Sequence, residues 1–398
     1  MTHRPDRQVD VELTSSAAVV AADRFKPLDR APLAAHRRLR GYAPTPLVAA
    51  PSLAAQLGLT AVWIKDESCR LELPAFKILG AWWAVLRLLE VRLGVDLDGW
   101  RDVDDVRARV AALGPLRLVT ATDGNHGRAV ARVARSLGWG ARILVPAGTA
   151  RARIDAIAGE GAEVEVVDGT YDDAVELAAT AADARTQVVS DTAWAGDDTV
   201  PRWVIEGYST IFWEVDDQLA ERAAPPVDLV VIPIGVGALA AAAVRHYRRA
   251  GGGHTPRLVG VEPTTAACAL VSARAGEPTE VAGPHDSIMA GLNCGRVSPV
   301  AWPLVSAGFD AFVAVGDGWA RDAMRRLAAL GLEAGETGAA SLAGLQAALS
   351  GSRAERVRGH LGLGRDSRAL ILVSEGTTDP ASFRTVVGSP PRGSRPAE

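Results

Sequence analysis

Long apolar runs are missing from this chain of 398 residues. None reaches about 18 uninterrupted apolar positions, which argues against a membrane-spanning helix. The opening Met1-Thr2-His3-Arg4-Pro5-Asp6-Arg7 has no apolar signal core. Cysteine is scarce: three thiols cannot build a disulfide framework in a chain this long, and they point to a reducing, cytoplasmic setting. Seven histidines contain no HxxxH pair and no CxxC exists, so a zinc enzyme is disfavoured and no metal is expected. Positive charge is not in excess. With 43 Lys and Arg against 47 Asp and Glu the net charge is −4, so neither nucleic acid nor an anionic membrane is an expected partner. Long repeats and low-complexity linkers are absent as well. What remains is the composition of a soluble globular protein, 48% hydrophobic and 23% charged, with length for two α/β domains or one large one.

Strand followed by helix recurs along the chain. Arg117–Ala121 is apolar and β-prone, and Arg128–Leu137 reads as a helix ended by Gly138. Ala141–Val145, Glu163–Val167 and Gln187–Ser190 read as strands, with helices at Ala150–Ala158 and Asp172–Ala184. This alternation predicts right-handed crossovers and a compact parallel sheet of four strands. A second series follows. Helices are expected at Pro201–Leu219, Ala238–Arg249, Thr264–Ala275 and Asp317–Ala329, and strands at Asp228–Ile234, Arg257–Glu262, Ala311–Val315 and Ala369–Ser374. With Ala61–Lys65 they predict a larger sheet, split in sequence by the first. The expected fold class is α/β: two domains, each with a mainly parallel sheet flanked by helices. Residues 21–88 and 201–387 would form the large domain and 89–200 the small one. Residues 1–20 would be a disordered tail and 388–398 a flexible one.

Ligands in such folds sit beyond the carboxyl ends of strands, so the loops there carry the candidates. After Asp228–Ile234 comes Gly235-Val236-Gly237-Ala238-Leu239-Ala240. Its glycines let backbone approach a ligand, and the next helix offers free N–H groups, together a phosphate cradle. The same Gly-x-Gly-x-x-Ala, with Glu262 ending the next strand, also fits a dinucleotide fingerprint. An NAD-dependent oxidoreductase therefore stays open on spacing, and a plain βα turn is the blandest alternative. Thr122-Asp123-Gly124-Asn125-His126-Gly127 gathers hydrogen-bonding side chains ahead of a helix, where an N-capping turn is the alternative. Lys77 opens a helix behind Leu73-Pro74-Ala75-Phe76. An amine there opposes the helix dipole among apolar neighbours, which lowers its preference for charge and suits Schiff-base chemistry. The plainer reading is a snorkelling surface lysine. Ser374-Glu375-Gly376-Thr377-Thr378-Asp379-Pro380 follows the last strand, and Ser190-Asp191-Thr192-Ala193-Trp194 the small sheet's fourth. Asp191 is an acid, base or substrate anchor, or else a helix cap.

Taken in order, these segments resemble the fold type II pyridoxal-phosphate enzymes, the tryptophan synthase β type, and within them the diaminopropionate ammonia-lyase family. The likeness runs from Arg24-Phe25 to Asp379-Pro380 and includes Tyr171-Asp172-Asp173-Ala174-Val175 and Ile288-Met289-Ala290-Gly291-Leu292. It implies pyridoxal 5'-phosphate as cofactor, with Lys77 as the Schiff-base lysine beside Phe76. By the same resemblance Gly235, Val236, Gly237 and Ala238 would hold the phosphate and Asn125 the ring hydroxyl. Ser374, or else Asp379, would face the pyridine nitrogen. The implied reaction is α,β-elimination of 2,3-diaminopropionate to pyruvate and ammonia through an external aldimine and an aminoacrylate. Lys77 and Asp123 would act as bases for the L and D substrates, and Asp191 would pair with a substrate amine. Thr122, Asp123, His126, Asp191, Asp197 and Asn293 would bind substrate. Cys268 and Cys294 match paired cysteines of the family, and a homodimer is implied.

The chain departs from the family pattern at Pro74, Ile78, Ala81, Asp197 and Asn293. The last two direct attention to another β-substituted amino acid as the alternative substrate. The rivals are a serine or threonine dehydratase or β-replacement enzyme, a catalytically silent amino-acid sensor that binds the cofactor, and the oxidoreductase.

Overall fold

The computed structural model describes residues 5–20, 28–122, 124–193, 198–251 and 253–391. Arg24, Phe25, Asp123, Trp194, Asp197 and the expected flexible stretch 392–398 lie outside the described residues. Contacts divide the chain into a large unit, Met1–Leu28, Thr45–Cys69 and Glu214–Glu398, and a small unit, Asp29–Pro44 and Arg70–Trp213. The division differs in extent from the sequence-based one. Residues 70–88 and 201–213 go with the four-stranded sheet, because the helices they contribute pack within the small unit.

Among the described residues the strands are β1 Val9–Leu13, β2 Leu47–Ala49, β3 Ala61–Asp66, β4 Arg117–Ala121, β5 Gly140–Pro146, β6 Glu163–Val167, β7 Thr186–Val188, β8 Leu229–Pro233, β9 Arg257–Pro263, β10 Ala311–Val315 and β11 Arg368–Val373. The helices that position the site are α1 Lys77–Val91, α2 Asn125–Leu137, α3 Arg151–Ala158, α4 Tyr171–Thr180, α5 Thr199–Glu221, α6 Ala238–Tyr247, α7 Cys268–Ala275, α8 Ala340–Ala348 and α9 Pro380–Val387.

The large unit holds a seven-stranded sheet in the order β1-β10-β9-β8-β11-β3-β2. Its five inner strands are parallel, and β1 and β2 close the edges antiparallel. Leu-Val-Val-Ile-Pro in β8 and Ala-Phe-Val-Ala-Val in β10 are buried throughout, the continuous apolar run of a strand covered on both faces. Helix α8, rich in Ala and Leu, is buried along its whole length against this sheet. β1 corrects the expected disordered tail over 1–20. Val9, Val11 and Leu13 alternate with acidic residues, and this short period-two pattern packs on the core while β1 pairs with β10.

The small unit holds a parallel sheet in the order β6-β5-β4-β7. Its core is Val119, Ala121, Leu144, Ala174, Val175 and Ala178. α4 is shorter than the expected Asp172–Ala184. A capping box between Thr170 and Asp173 starts it, and it stops at Thr180. α2 ends at Gly138 in the left-handed conformation. Buried Glu160 accepts hydrogen bonds from Arg128 (3.2 Å) and Arg132 (2.6 Å) and pairs with Arg135 (2.9 Å), which fixes α2 and so the loop at its start.

α1 and α5 cross where each carries a glycine. A Cβ on Gly207 would lie 2.6 Å from the Leu79 carbonyl oxygen and 2.9 Å from Gly80 Cα. His36 is buried beside the crossing: its Nε2 donates to the Leu79 carbonyl at 2.9 Å, which leaves Nδ1 to accept from the Thr210 hydroxyl at 2.8 Å. Because backbone atoms occupy the space, Gly207→Ala forces the helices apart. We expect it to destabilise the chain by about 1–3 kcal/mol in equilibrium denaturation.

Candidate active site

In the small unit, side chains from three strand ends converge. β4 runs into Thr122, whose Oγ1 accepts from the backbone N–H of Gly124 (2.9 Å) and Gly127 (3.1 Å) and so caps the start of α2. Asn125 and His126 follow at that start. His126 is buried, and its Nε2 donates to the Val189 carbonyl at 2.8 Å. Its Nδ1 lies 4.0 Å from Asp191 Oδ2. β7 delivers Asp191, whose side chain is 5% exposed, and Lys77 Nζ donates to its Oδ2 at 2.7 Å. Tyr171, first residue of α4, donates from its hydroxyl to Asp191 Oδ1 at 3.3 Å. The Phe76 ring lies 5.6 Å from Lys77 Nζ.

The electrostatics follow from this packing. Burial alone would raise the Asp191 carboxyl. The Lys77 ammonium, His126, and hydrogen bonds from Lys77 and Tyr171 outweigh burial and hold it well below the usual carboxylate range. Asp191 is therefore ionised at neutral pH. The Lys77 amine has a carboxylate partner in this arrangement, at 2.7 Å.

The chain has three lysines, Lys26, Lys65 and Lys77. Lys26 lies outside the described residues. Lys65 is 0% exposed, and its three donors are taken by Thr45 O (2.8 Å), Glu214 (2.7 Å) and Gln218 (3.0 Å). Lys77, with 23% of its side chain exposed, is the one of this pair that solvent and ligand reach.

In the large unit the loops after β8 and β11, neighbouring strands, lie side by side at the carboxyl edge. Gly235 and Gly237 leave the backbone N–H groups ahead of α6 uncovered. A Cβ on Gly235 would lie 3.0 Å from the Gly291 carbonyl and 3.3 Å from Cys294 Sγ. Gly237 has φ +94°, a conformation side chains resist. Val236 is buried, and Ala238 opens α6. This cradle fits a phosphate monoester, since backbone donors and a positive helix end meet no side chain. The wall is tied together: Ser374, buried, donates to the Thr337 carbonyl at 3.3 Å, while Thr337 Oγ1 accepts from Gly291 N at 3.1 Å.

Several expectations change. Asp379 caps α9, accepting from Ala381 N (3.0 Å) and Ser382 N (3.1 Å), and the buried hydroxyl oxygens of that loop belong to Ser374 and Thr377. Glu262 is buried and spends both oxygens on Ala269 N (2.7 Å) and Leu270 N (2.8 Å) at the start of α7, with burial pushing its carboxyl up to about 7. At 0% exposed it is out of a ribose's reach, which removes the dinucleotide reading. Asn293 Nδ2 donates to the Ser287 carbonyl at 2.8 Å, and its Oδ1 has no partner among the described residues. Cys268 and Cys294 lie beside Gly235 and are not joined in a disulfide. Tyr171 was visible only as part of a motif, and Tyr208, described below, carried no sequence signal because its helix is apolar and aromatic around it.

The family described as pyridoxal-phosphate dependent enzyme matches residues 39–358. The chain belongs to that family. Pyridoxal phosphate is accordingly its cofactor, and the glycine cradle and exposed Lys77 suit it. The chain is similar to diaminopropionate ammonia-lyase of Escherichia coli, 35% identical over 358 residues, covering 88% of this chain and 89% of that enzyme. It is 31% identical over 312 residues to an L-threonine dehydratase of Mycobacterium leprae, covering 76% of this chain and 64% of that one. The solved structure of the Escherichia coli ammonia-lyase, in complex with an aminoacrylate-PLP azomethine intermediate, superposes with TM-score 0.85 at 31% identity, covering 96% of this chain and 97% of that one.

Gly237→Val places a branched side chain at positive φ and against Ala301 and Val297, which must displace the cradle backbone of this family member. We expect it to weaken pyridoxal phosphate binding by about tenfold or more, read by cofactor titration, with far-UV circular dichroism unchanged.

Proposed function

We propose that this chain is an ammonia-lyase that eliminates across Cα and Cβ of 2,3-diaminopropionate, with one water consumed and pyruvate and two ammonia formed. The observation that carries the reading is the ionised carboxylate of Asp191 buried against Lys77. A buried carboxylate requires a cation, and a substrate with a second amine supplies one where serine or threonine brings only a hydroxyl. The similarity to the Escherichia coli enzyme supports the same substrate.

Pyridoxal phosphate, when bound, supplies the electron sink that makes the α proton acidic. The chain's own residues do the rest. Lys77 attaches the cofactor and, released, takes the α proton. The loop Gly235, Val236, Gly237 and Ala238 holds the phosphate, Asn125 the ring hydroxyl and Ser374 the pyridine nitrogen. A paired ammonium has no lone pair, so Lys77 becomes a base only when Asp191 accepts another cation. The β-ammonium of the substrate is that cation. Because Asp191 stays ionised it does not protonate the leaving group; it keeps the β-amine in the form that already leaves as ammonia. Tyr171 and His126 hold the carboxylate in place through the exchange. Asp123, outside the described residues, is assigned as the base for the D substrate, and Thr122, Asp197 and Asn293 complete the substrate contacts. The proposal extends to a cytoplasmic homodimer, which size-exclusion chromatography with light scattering tests by mass.

Purified protein is expected to release pyruvate from diaminopropionate, and Lys77→Ala to release none. Asp191→Asn should lower kcat/KM for diaminopropionate by about 100-fold while changing serine turnover far less. An equal loss on both substrates would show that Asp191 does not read the second amine. Asp123→Asn is expected to abolish turnover of the D enantiomer alone; equal loss on D and L would remove the two-base assignment.

A further inference from the structure

Tyr208 is a buried hydroxyl to which the reading above gives no task. It lies in α5 and is 0% exposed, and its Oη has no hydrogen-bond partner among the described residues. The ring stands edge-on to Phe76, centroids 4.8 Å apart, and Phe76 is the residue whose ring lies beneath Lys77 Nζ. It also rests on Gly80, one turn after Lys77 on the same face of α1. A Cβ at Gly80 would come within 2.5 Å of Tyr208 Cε1 and 2.8 Å of Cζ. A small residue at 80 thus keeps room for this ring beside the lysine. The charges that act on the phenol are Lys77 and Asp191, and burial pushes it well above the usual phenol range, so it stays a neutral hydroxyl. Leaving a buried hydroxyl unpaired is costly, and phenylalanine would fill the same shape without that loss.

We propose that Tyr208 is a positioning residue for Lys77: its oxygen accepts an N–H of the lysine nitrogen when Asp191 is taken by another cation. The inference rests on the reading of Lys77 as the working amine. Its physical content is an exchange of acceptors. A carboxylate beside the nitrogen favours the ammonium, whereas a phenol oxygen holds a neutral amine by one N–H and leaves the lone pair directed outward. Lys77 thereby gives up its positive charge without losing its orientation. The ammonium breaks one N–H bond and gives that proton to solvent water, which reaches the partly exposed amine, and no proton moves to Tyr208.

The test is Tyr208→Phe in the holoenzyme. Because the hydroxyl makes no bond, thermal stability should be equal or higher. The value of kcat is expected to fall about tenfold with KM within about twofold, and the acid limb of the kcat–pH profile to move up by about one unit, as Lys77 stays with Asp191. A second readout needs no turnover: the pH midpoint of the visible cofactor band, with 2,4-diaminobutyrate bound to bring Asp191 a second ammonium but no leaving group at Cβ, should shift by about half a unit or more. Replacing Tyr208 by difluorotyrosine keeps the shape and weakens the oxygen as acceptor, so it should move limb and midpoint the same way by less, and it serves if the Phe variant fails to fold. Unchanged kcat, limb and midpoint would overturn the proposal, as would a loss of activity matched by a loss of melting temperature. If wild type makes no pyruvate from diaminopropionate the substrate reading falls, while the band midpoint still decides the role of Tyr208.

Discussion

A carboxylate excluded from water must have a cation beside it, and Asp191 is such a carboxylate. Removing one member of a buried pair leaves the other uncompensated, at a cost of about 3–5 kcal/mol. The small unit is arranged around this requirement. The lysine comes from the start of α1, the imidazole from the start of α2 and a phenol from the start of α4, all reaching the end of β7. Each is fixed by something apolar or by backbone: His126 by the Val189 carbonyl, and α1 by its glycine crossing with α5. In the proposed function the same requirement couples binding to chemistry, because the cation that satisfies Asp191 would decide whether the lysine nitrogen is occupied or available.

The large unit solves a different problem with fewer charges. Its cradle works through what is missing: no side chain at 235 or 237, and no acidic group spent on the loop. The acidic residues nearby are committed elsewhere, Glu262 to the start of α7 and Asp379 to the start of α9. Two carboxylates that sequence spacing offers to ligands are thus helix caps, used to satisfy backbone donors that burial leaves without water.

Much of this was legible in the sequence. Arg117–Ala121 and Ala311–Val315 appear as strands at the bounds their apolar runs suggest, because strands buried on both faces need near-continuous apolarity, whereas the edge strand Glu163–Val167 shows through its β-branched valines. β1 was not legible: alternation over five residues inside a polar stretch looks like a tail until β10 is there to pair with it. The site divides in the same way. Lys77, Asp191 and the Gly235 loop lie where sequence places them, since chemistry-bearing residues at strand ends are recognisable by type. Asp379 and Tyr208 were not. Whether an aspartate caps or binds, and whether a tyrosine in an aromatic helix packs against Phe76 and Gly80 beside a lysine, depends on neighbours distant in the chain.

The scarcity of lysine has a meaning beyond structure. Pyridoxal phosphate is an aldehyde, and an aldehyde condenses with accessible primary amines without regard to their place in a fold. Arginine carries most of the positive charge here, and a guanidinium that never loses its proton is a poor partner for that condensation. Lys65 is withdrawn into a network that occupies all three of its donors. The chain therefore offers its cofactor few competing amines, and with Lys77 as the proposed attachment point the selectivity of the modification would be set as much by the amines left out of the sequence as by the one placed at position 77.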